Sequence, residues 1–366
     1  MVLAPHRLLL ASTLASALIA CSEDPGGDDA VADSSSTDST SSSSDSDSDS
    51  TEDTTESSTD STEDTTESST DAGPDCPLET IILPGDTFHP DAVAAAADGT
   101  IYIGSRADGT VVQTLPCETD VTTLIPAGEL AHVGGLLVDD GRDLLIACDA
   151  DLQQPTSPSI AVFTRTGELV ATHPFEETGT CDDLARDPQG NVYASDGANG
   201  RILRLPIAAL TVDGSAVPTW LSDPAFTAEP PLRGINGLAH DGQSTLYAVH
   251  TQLGALHAVT IADDGQPAGL TLIQLDSPMV YPDDLEWVAT DRLLVIESGI
   301  GFLTQISLNG NEGVHWGLVG GLDEPSALAL DADGIRAWIA EGQLSHLGGQ
   351  DPAPPSLPFR VVRALF

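Results

Sequence analysis

One pattern of apolar and polar positions returns six times between residues 90 and 341. Each copy opens on a small, polar or acidic residue, meets a Val or Leu, passes a turn and enters a β-rich run. The copies begin at Pro90-Asp91-Ala92-Val93, Gly134-Gly135-Leu136, Cys181-Asp182-Asp183-Leu184, Ile235-Asn236-Gly237-Leu238, Pro282-Asp283-Asp284-Leu285 and Pro325-Ser326-Ala327-Leu328. Their key positions, 91, 134, 182, 236, 283 and 326, are separated by 43, 48, 54, 47 and 43 residues, the period of a propeller blade. Turn residues follow, as at Asp98-Gly99, Asp140-Gly141, Asp241-Gly242 and Asp333-Gly334; the fifth copy has only Thr290-Asp291. Strand-like runs come next, such as Ile101-Tyr102-Ile103 and Leu293-Leu294-Val295. Asp-Gly between short apolar runs marks a hairpin, because its turn requires φ > 0. Six such units of four strands predict an all-β fold, a six-bladed β-propeller over residues 76–366. A pair of β-sandwiches would not repeat one motif six times. The last copy is one strand short, and Leu78–Leu83 is expected to supply it, joining the two ends in one blade and removing a sheet edge.

The residues before the repeats read differently. In 1–21, His6 and Arg7 precede an apolar run from Leu8 to Ala20, too short to span a bilayer as a helix. It ends in Leu18-Ile19-Ala20-Cys21, which resembles a bacterial lipobox. That resemblance implies a lipidated Cys21 at the mature N-terminus, and Ser22 after it favours the outer membrane of the cell envelope. Residues 22–75 hold 18 acidic residues, 27 Ser or Thr, and no Lys, Arg or His, with an eleven-residue repeat at 50–60 and 61–71. Such a segment cannot bury enough apolar surface to offset chain entropy, so a disordered acidic linker is expected.

Charge narrows the partners. The chain has 57 Asp and Glu against 12 basic residues, all Arg, for a net −45. A polyanion does not hold a phosphate backbone, so nucleic acid is excluded. The expected partners are the membrane, through the lipid, and a small-molecule ester or lactone or a surface protein; a monomer is expected.

The repeat also locates the chemistry. The innermost strands of a propeller start at one face and line its central channel, so the key positions converge. Oxygen donors at Asp91, Asp182, Asn236 and Asp283 suit a hard cation such as Ca²⁺. A second ring lies fourteen or fifteen residues on, at Ser105, Cys148, Asp196, His250, Glu297 and Glu341. Its ionisable members, Asp196, His250, Glu297 and Glu341, are expected to orient ligands or move protons. Arg233, three residues before Asn236, is expected to hold an anionic substrate group.

The six repeats, with Ile235-Asn236-Gly237-Leu238 and Pro282-Asp283-Asp284-Leu285, resemble the gluconolactonase and senescence-marker-protein propellers, relatives of diisopropyl fluorophosphatase and the paraoxonases. The resemblance implies that Asp91, Asn236 and Asp283 bind a divalent metal, that Asp182 contacts substrate or metal, and that Asp283 is base or nucleophile. Two positions depart from it: Asp91 stands where the family has Glu, and Asp182 where it has Asn. The function so implied is that of a membrane-tethered, calcium-dependent lactonase or esterase. The alternative is a non-catalytic propeller presenting loops to a partner.

Without Cys21, four cysteines remain, an even number in an exported domain. Strand directions place Cys148 and Cys181 together at the metal face, and Cys76 and Cys117 at the other, predicting disulfides Cys148–Cys181 and Cys76–Cys117.

Overall fold

The computed structural model describes residues 79–151, 157–229, 233–347 and 349–366. The expected signal segment with Cys21, the expected acidic linker and Cys76 lie outside the described residues. No helix among those described is long and apolar enough to cross a membrane.

The described chain is almost entirely β. Blade 1 comprises β2 (Pro90–Ala95), β3 (Ile101–Ser105), β4 (Val111–Thr114) and β5 (Val121–Ile125). Blade 2 comprises β6 (Val133–Asp139), β7 (Leu144–Asp149), β8 (Ser159–Thr164) and β9 (Leu169–Pro174). Blade 3 follows with β10 (Leu184–Arg186), β11 (Val192–Asp196), β12 (Arg201–Leu205) and β13 (Thr219–Ser222). Blade 4 holds β14 (Ile235–His240), β15 (Thr245–His250), β16 (Ala255–Ile261) and β17 (Pro267–Leu275). Blade 5 holds β18 (Pro282–Ala289), β19 (Arg292–Glu297), β20 (Phe302–Asn309) and β21 (Glu312–Gly320). Each is an antiparallel meander. The sixth closes the ring as expected: β22 (Pro325–Leu330), β23 (Arg336–Glu341) and β24 (Arg360–Leu365) are completed by β1 (Thr80–Ile82). Ile81 pairs with Val361 across that seam, so chain ends distant in sequence share one ladder and leave no open edge there. Outer strands β17 and β21 also pair, in parallel, through Gln274 with Glu312 and Leu275 with Gly313.

The inner strands are covered on both faces, so their buried runs are continuous rather than alternating; β3 and β11 are buried throughout, whereas outer strands such as β17 and β21 are largely exposed or half-buried. The core is accordingly divided into six apolar clusters, one at each junction between neighbouring blades. Between blades 2 and 3, for example, Ile146, Ile160 and Val162 meet Val192, Leu203 and Leu205.

The same junction carries the expected Cys148–Cys181 disulfide, with Cα atoms 5.2 Å apart. It ties the end of β7 to the segment entering blade 3. Replacing both cysteines by serine should cost about 2–4 kcal/mol of unfolding free energy, read as a lowered urea midpoint without reductant; an unchanged midpoint would refute that contribution. Cys117 is also disulfide-bonded, and its expected partner, Cys76, lies outside the described residues.

Candidate active site at the channel mouth

A bulge is what aims the key residues. In five blades the pairing of the first two strands slips at the strand entry: between Pro90 and Ala92, Val133 and Leu136, Ile235 and Leu238, Pro282 and Leu285, and Pro325 and Ala327. Asp91, Gly134, Asn236, Asp283 and Ser326 are the first residues inside these slips, and Gly135, Gly237 and Asp284 follow inside the second, third and fourth. Extra residues in a ladder bend the strand and re-aim side chains. In blades 1, 5 and 6 the residue before the proline has positive φ, at His89, Tyr281 and Glu324, a conformation uncommon outside glycine, so the turn into each bulge is sharp.

The result is a cavity of about 280 Å³ on the channel axis, lined by Asp91, Gly134, Asp182, Asn236, Asp283 and Ser326 together. Asp91, Asp182, Asn236 and Ser326 are buried. Asn236 Nδ2 donates to Asp283 Oδ1. Asp182 Oδ2 accepts from the Gly197 backbone N–H at 3.0 Å and from Thr180 Oγ1, and its Oδ1 lies 3.3 Å from Arg233 Nη1. Arg233 is thus at the mouth, 43% exposed along its side chain.

Six more ionisable residues share the cavity and were not singled out from the sequence: Arg106, Asp183, Arg186, His240, Asp284 and Glu286. The second aspartate of each Asp-Asp pair reaches the next blade. Asp183 accepts from the Leu238 N–H and Asp284 from the Leu328 N–H, both at 2.7 Å. Glycines face them: a Cβ on Gly135 would lie 2.9 Å from Asp183 Cα, and one on Gly237 would lie 2.7 Å from Asp284 Cα. Doubled acid in blades 3 and 5 against a glycine at the matching second position in blades 2 and 4 was the available signal.

Arg106 sits at the centre. Its Nη1 is 2.7 Å from Asp91 Oδ2, with the two side chains only 4% and 8% exposed. Its backbone is fixed on both sides, the N–H donating to the His89 carbonyl and the carbonyl accepting from His132 Nδ1. Gly134 provides the space, since a Cβ there would lie 2.9 Å from Arg106 Nη1 and 2.5 Å from the Cys181 carbonyl. Gly134→Ala should therefore destabilise the domain by about 1–3 kcal/mol through overpacking; a denaturant midpoint equal to the parent's would contradict that packing.

The carboxyls crowd one another away from bulk water. Burial pushes Asp91 up to about 6, against the pull of Arg106. Burial and then Asp91 push Asp283 up to about 8. Burial raises Asp183 to about 7 and Glu286 to about 8, and burial with Asp183 holds Asp284 well above the ordinary carboxylate range. Low dielectric and like charge both favour the neutral acid.

The second ring takes a different place. Asp196 Oδ1 accepts from the Thr180 N–H, and Glu297 Oε2 from the Val280 N–H. Glu341 Oε1 accepts from the Asp323 N–H, and His250 Nε2 donates to the Thr227 carbonyl. Each side chain at the end of a second strand fastens the loop that enters its own blade, and none of these four lines the cavity. Only Asp196 stays connected to it, because Thr180 Oγ1 lies within reach of both Asp196 and Asp182. In blade 2 the equivalent residue is Asp149, which pairs with Val133 and accepts from the Ala131 N–H. The sequence count of fourteen points instead to Cys148, one residue early, because the blade 2 hairpin is one residue longer: Val133 pairs with Asp149, whereas Pro90, Ile235 and Pro282 pair with Ser105, His250 and Glu297.

The donor set, as arranged, does not suit a divalent cation. Asp91 is already neutralised by a guanidinium, and Asn236 turns its amide N–H toward Asp283. Among the described residues no three His, Cys, Asp or Glu side chains form a group that could hold a metal ion. A 2+ ion beside Arg106 would also meet a fixed like charge.

No protein-family model matches the chain, and no curated protein matches its sequence. Solved structures do match. A luciferin-regenerating enzyme is 13% identical with TM-score 0.59, over 78% of this chain and 95% of its own. A gluconolactonase from Xanthomonas campestris is 17% identical with TM-score 0.56, over 78% and 89%. The PQQ-bound aldose sugar dehydrogenase of Streptomyces coelicolor is 16% identical with TM-score 0.53, over 80% and 99%. At these identities the likeness is one of fold, and the chain is a β-propeller built like those of several small-molecule enzymes.

Proposed function

We propose that the channel mouth is the active site of a hydrolase that opens a lactone or another small carboxylic ester. The observation that carries this reading is Asp283: a carboxyl hydrogen-bonded by Asn236, raised by burial to about 8, in a cavity of about 280 Å³. A base poised near neutrality is what general-base hydrolysis needs. Ionised Asp283 takes a proton from water as the water oxygen bonds to the ester carbonyl carbon. The C–O bond to the leaving group then breaks, and protonated Asp283 returns the proton to the departing alkoxide, leaving a carboxylic acid and an alcohol. Asn236 holds the Asp283 carboxyl in orientation throughout.

The gluconolactonase among the structural neighbours supports the choice of ester chemistry. The lipobox-like start places this activity, in the same proposal, on a lipid-tethered enzyme of the cell envelope, on the far side of an acidic linker. A panel of five- and six-membered lactones and aryl acetates tests it on the exported protein. Hydrolysis is expected, with kcat/KM climbing as pH approaches the Asp283 value of about 8. Binding without turnover across the panel would leave a binding module and overturn the hydrolase.

A further inference from the structure

We infer that Arg106 is the resident cation of the channel and excludes a divalent ion from Asp91, Asn236 and Asp283, an inference that does not rest on the hydrolase reading. Arg106 lines the cavity, and its Nη1 lies 2.7 Å from Asp91 Oδ2 in a pair whose side chains are only 4% and 8% exposed. A divalent ion at Asp91 would have to displace that guanidinium or sit beside its positive charge. Asn236 turns its amide N–H toward Asp283.

Two further features keep the guanidinium in place. Gly134 leaves room that any side chain would fill, and the Arg106 backbone is pinned to His89 and His132. The short Asp91 side chain meets the fork directly. Displacing Arg106 would leave Asp91 buried and unpaired, which is the expensive outcome for a buried pair.

Calcium titration separates the cation's identity from catalysis. Chelator-treated wild-type protein, titrated with CaCl₂ by calorimetry and by thermal melting, should show no one-equivalent binding and no shift in Tm. Arg106→Met should bind one equivalent of Ca²⁺ and melt several degrees higher at saturating CaCl₂. Arg106→Gln serves if the methionine variant does not fold. A one-equivalent calcium site in the wild type that Asp91→Asn removes overturns the inference. So does calcium silence in a folded Arg106→Met or Arg106→Gln variant, since Arg106 would then not stand in a cation's place. If the titrations come out as expected but no lactone is hydrolysed, the cation assignment stands and the hydrolase reading alone falls. Arg106→Lys keeps the charge and should stay silent to calcium; a one-equivalent calcium site in that folded variant would overturn the inference.

Discussion

Asp283→Asn should lower lactone or ester turnover by about 10²–10⁴-fold, with the folded domain as stable as the parent or more so. The amide keeps the size of the side chain, and its oxygen can still accept from Asn236 Nδ2. What it loses is the capacity to take a proton from water. The stability half of the expectation follows from the same carboxyl. In the parent, burial and Asp91 resist ionisation of Asp283, and an amide at that position carries no charge to resist. A thermal melt beside the rate measurement therefore separates lost chemistry from lost fold. A rate within a few-fold of the parent in a well-folded variant would remove Asp283 from the mechanism.

Thermal stability should fall as pH rises from about 4 toward 8. Asp91, Asp183, Asp283 and Glu286 are held up at about 6, 7, 8 and 8, with Asp284 well above its ordinary value. Between its unfolded and folded values, each of these groups carries a proton in the native state that the unfolded chain has released. Stability then declines with pH across that window, is undiminished below the unfolded values, and levels off above the folded ones. The opposing carboxylates Asp98, Asp108, Asp139 and Asp333 are lowered, so their contribution is lost only in more acidic solution. Melting curves from pH 5 to pH 8 should show Tm dropping at every step. A flat or rising profile would mean that the channel acids ionise freely and that the crowding described for the cavity is wrong. Asp283→Asn and Glu286→Gln should each flatten the slope, by removing one proton from the balance.

Much of this protein was legible as spacing. The blade period, the hairpin turns and the shortfall of one strand in the last repeat led to a closed six-bladed ring, and β1 pairs with β24 as strand counting required. The same logic brought Asp91, Asp182, Asn236 and Asp283 to one cavity and joined Cys148 to Cys181. These succeeded because hairpin geometry repeats from blade to blade, so equal offsets along the chain mean equal positions in space.

The sequence by itself determined which backbone positions meet; the tertiary structure decided what each side chain does there. Asp196, His250, Glu297 and Glu341 arrive at the expected strand ends, yet each is engaged by a backbone group of the loop entering its own blade. Arg106, one residue beyond the second ring, was invisible to the count. It enters the centre only because a glycine in the neighbouring blade leaves a gap for its guanidinium. Asp183 and Asp284 look like repeats of their neighbours in the chain but bridge to the next blade instead. Offsets along a chain are set by covalent geometry and turn chemistry, which are local. Charge pairing, burial and the space left by a missing Cβ depend on residues from other blades, and they exist only once the ring has closed.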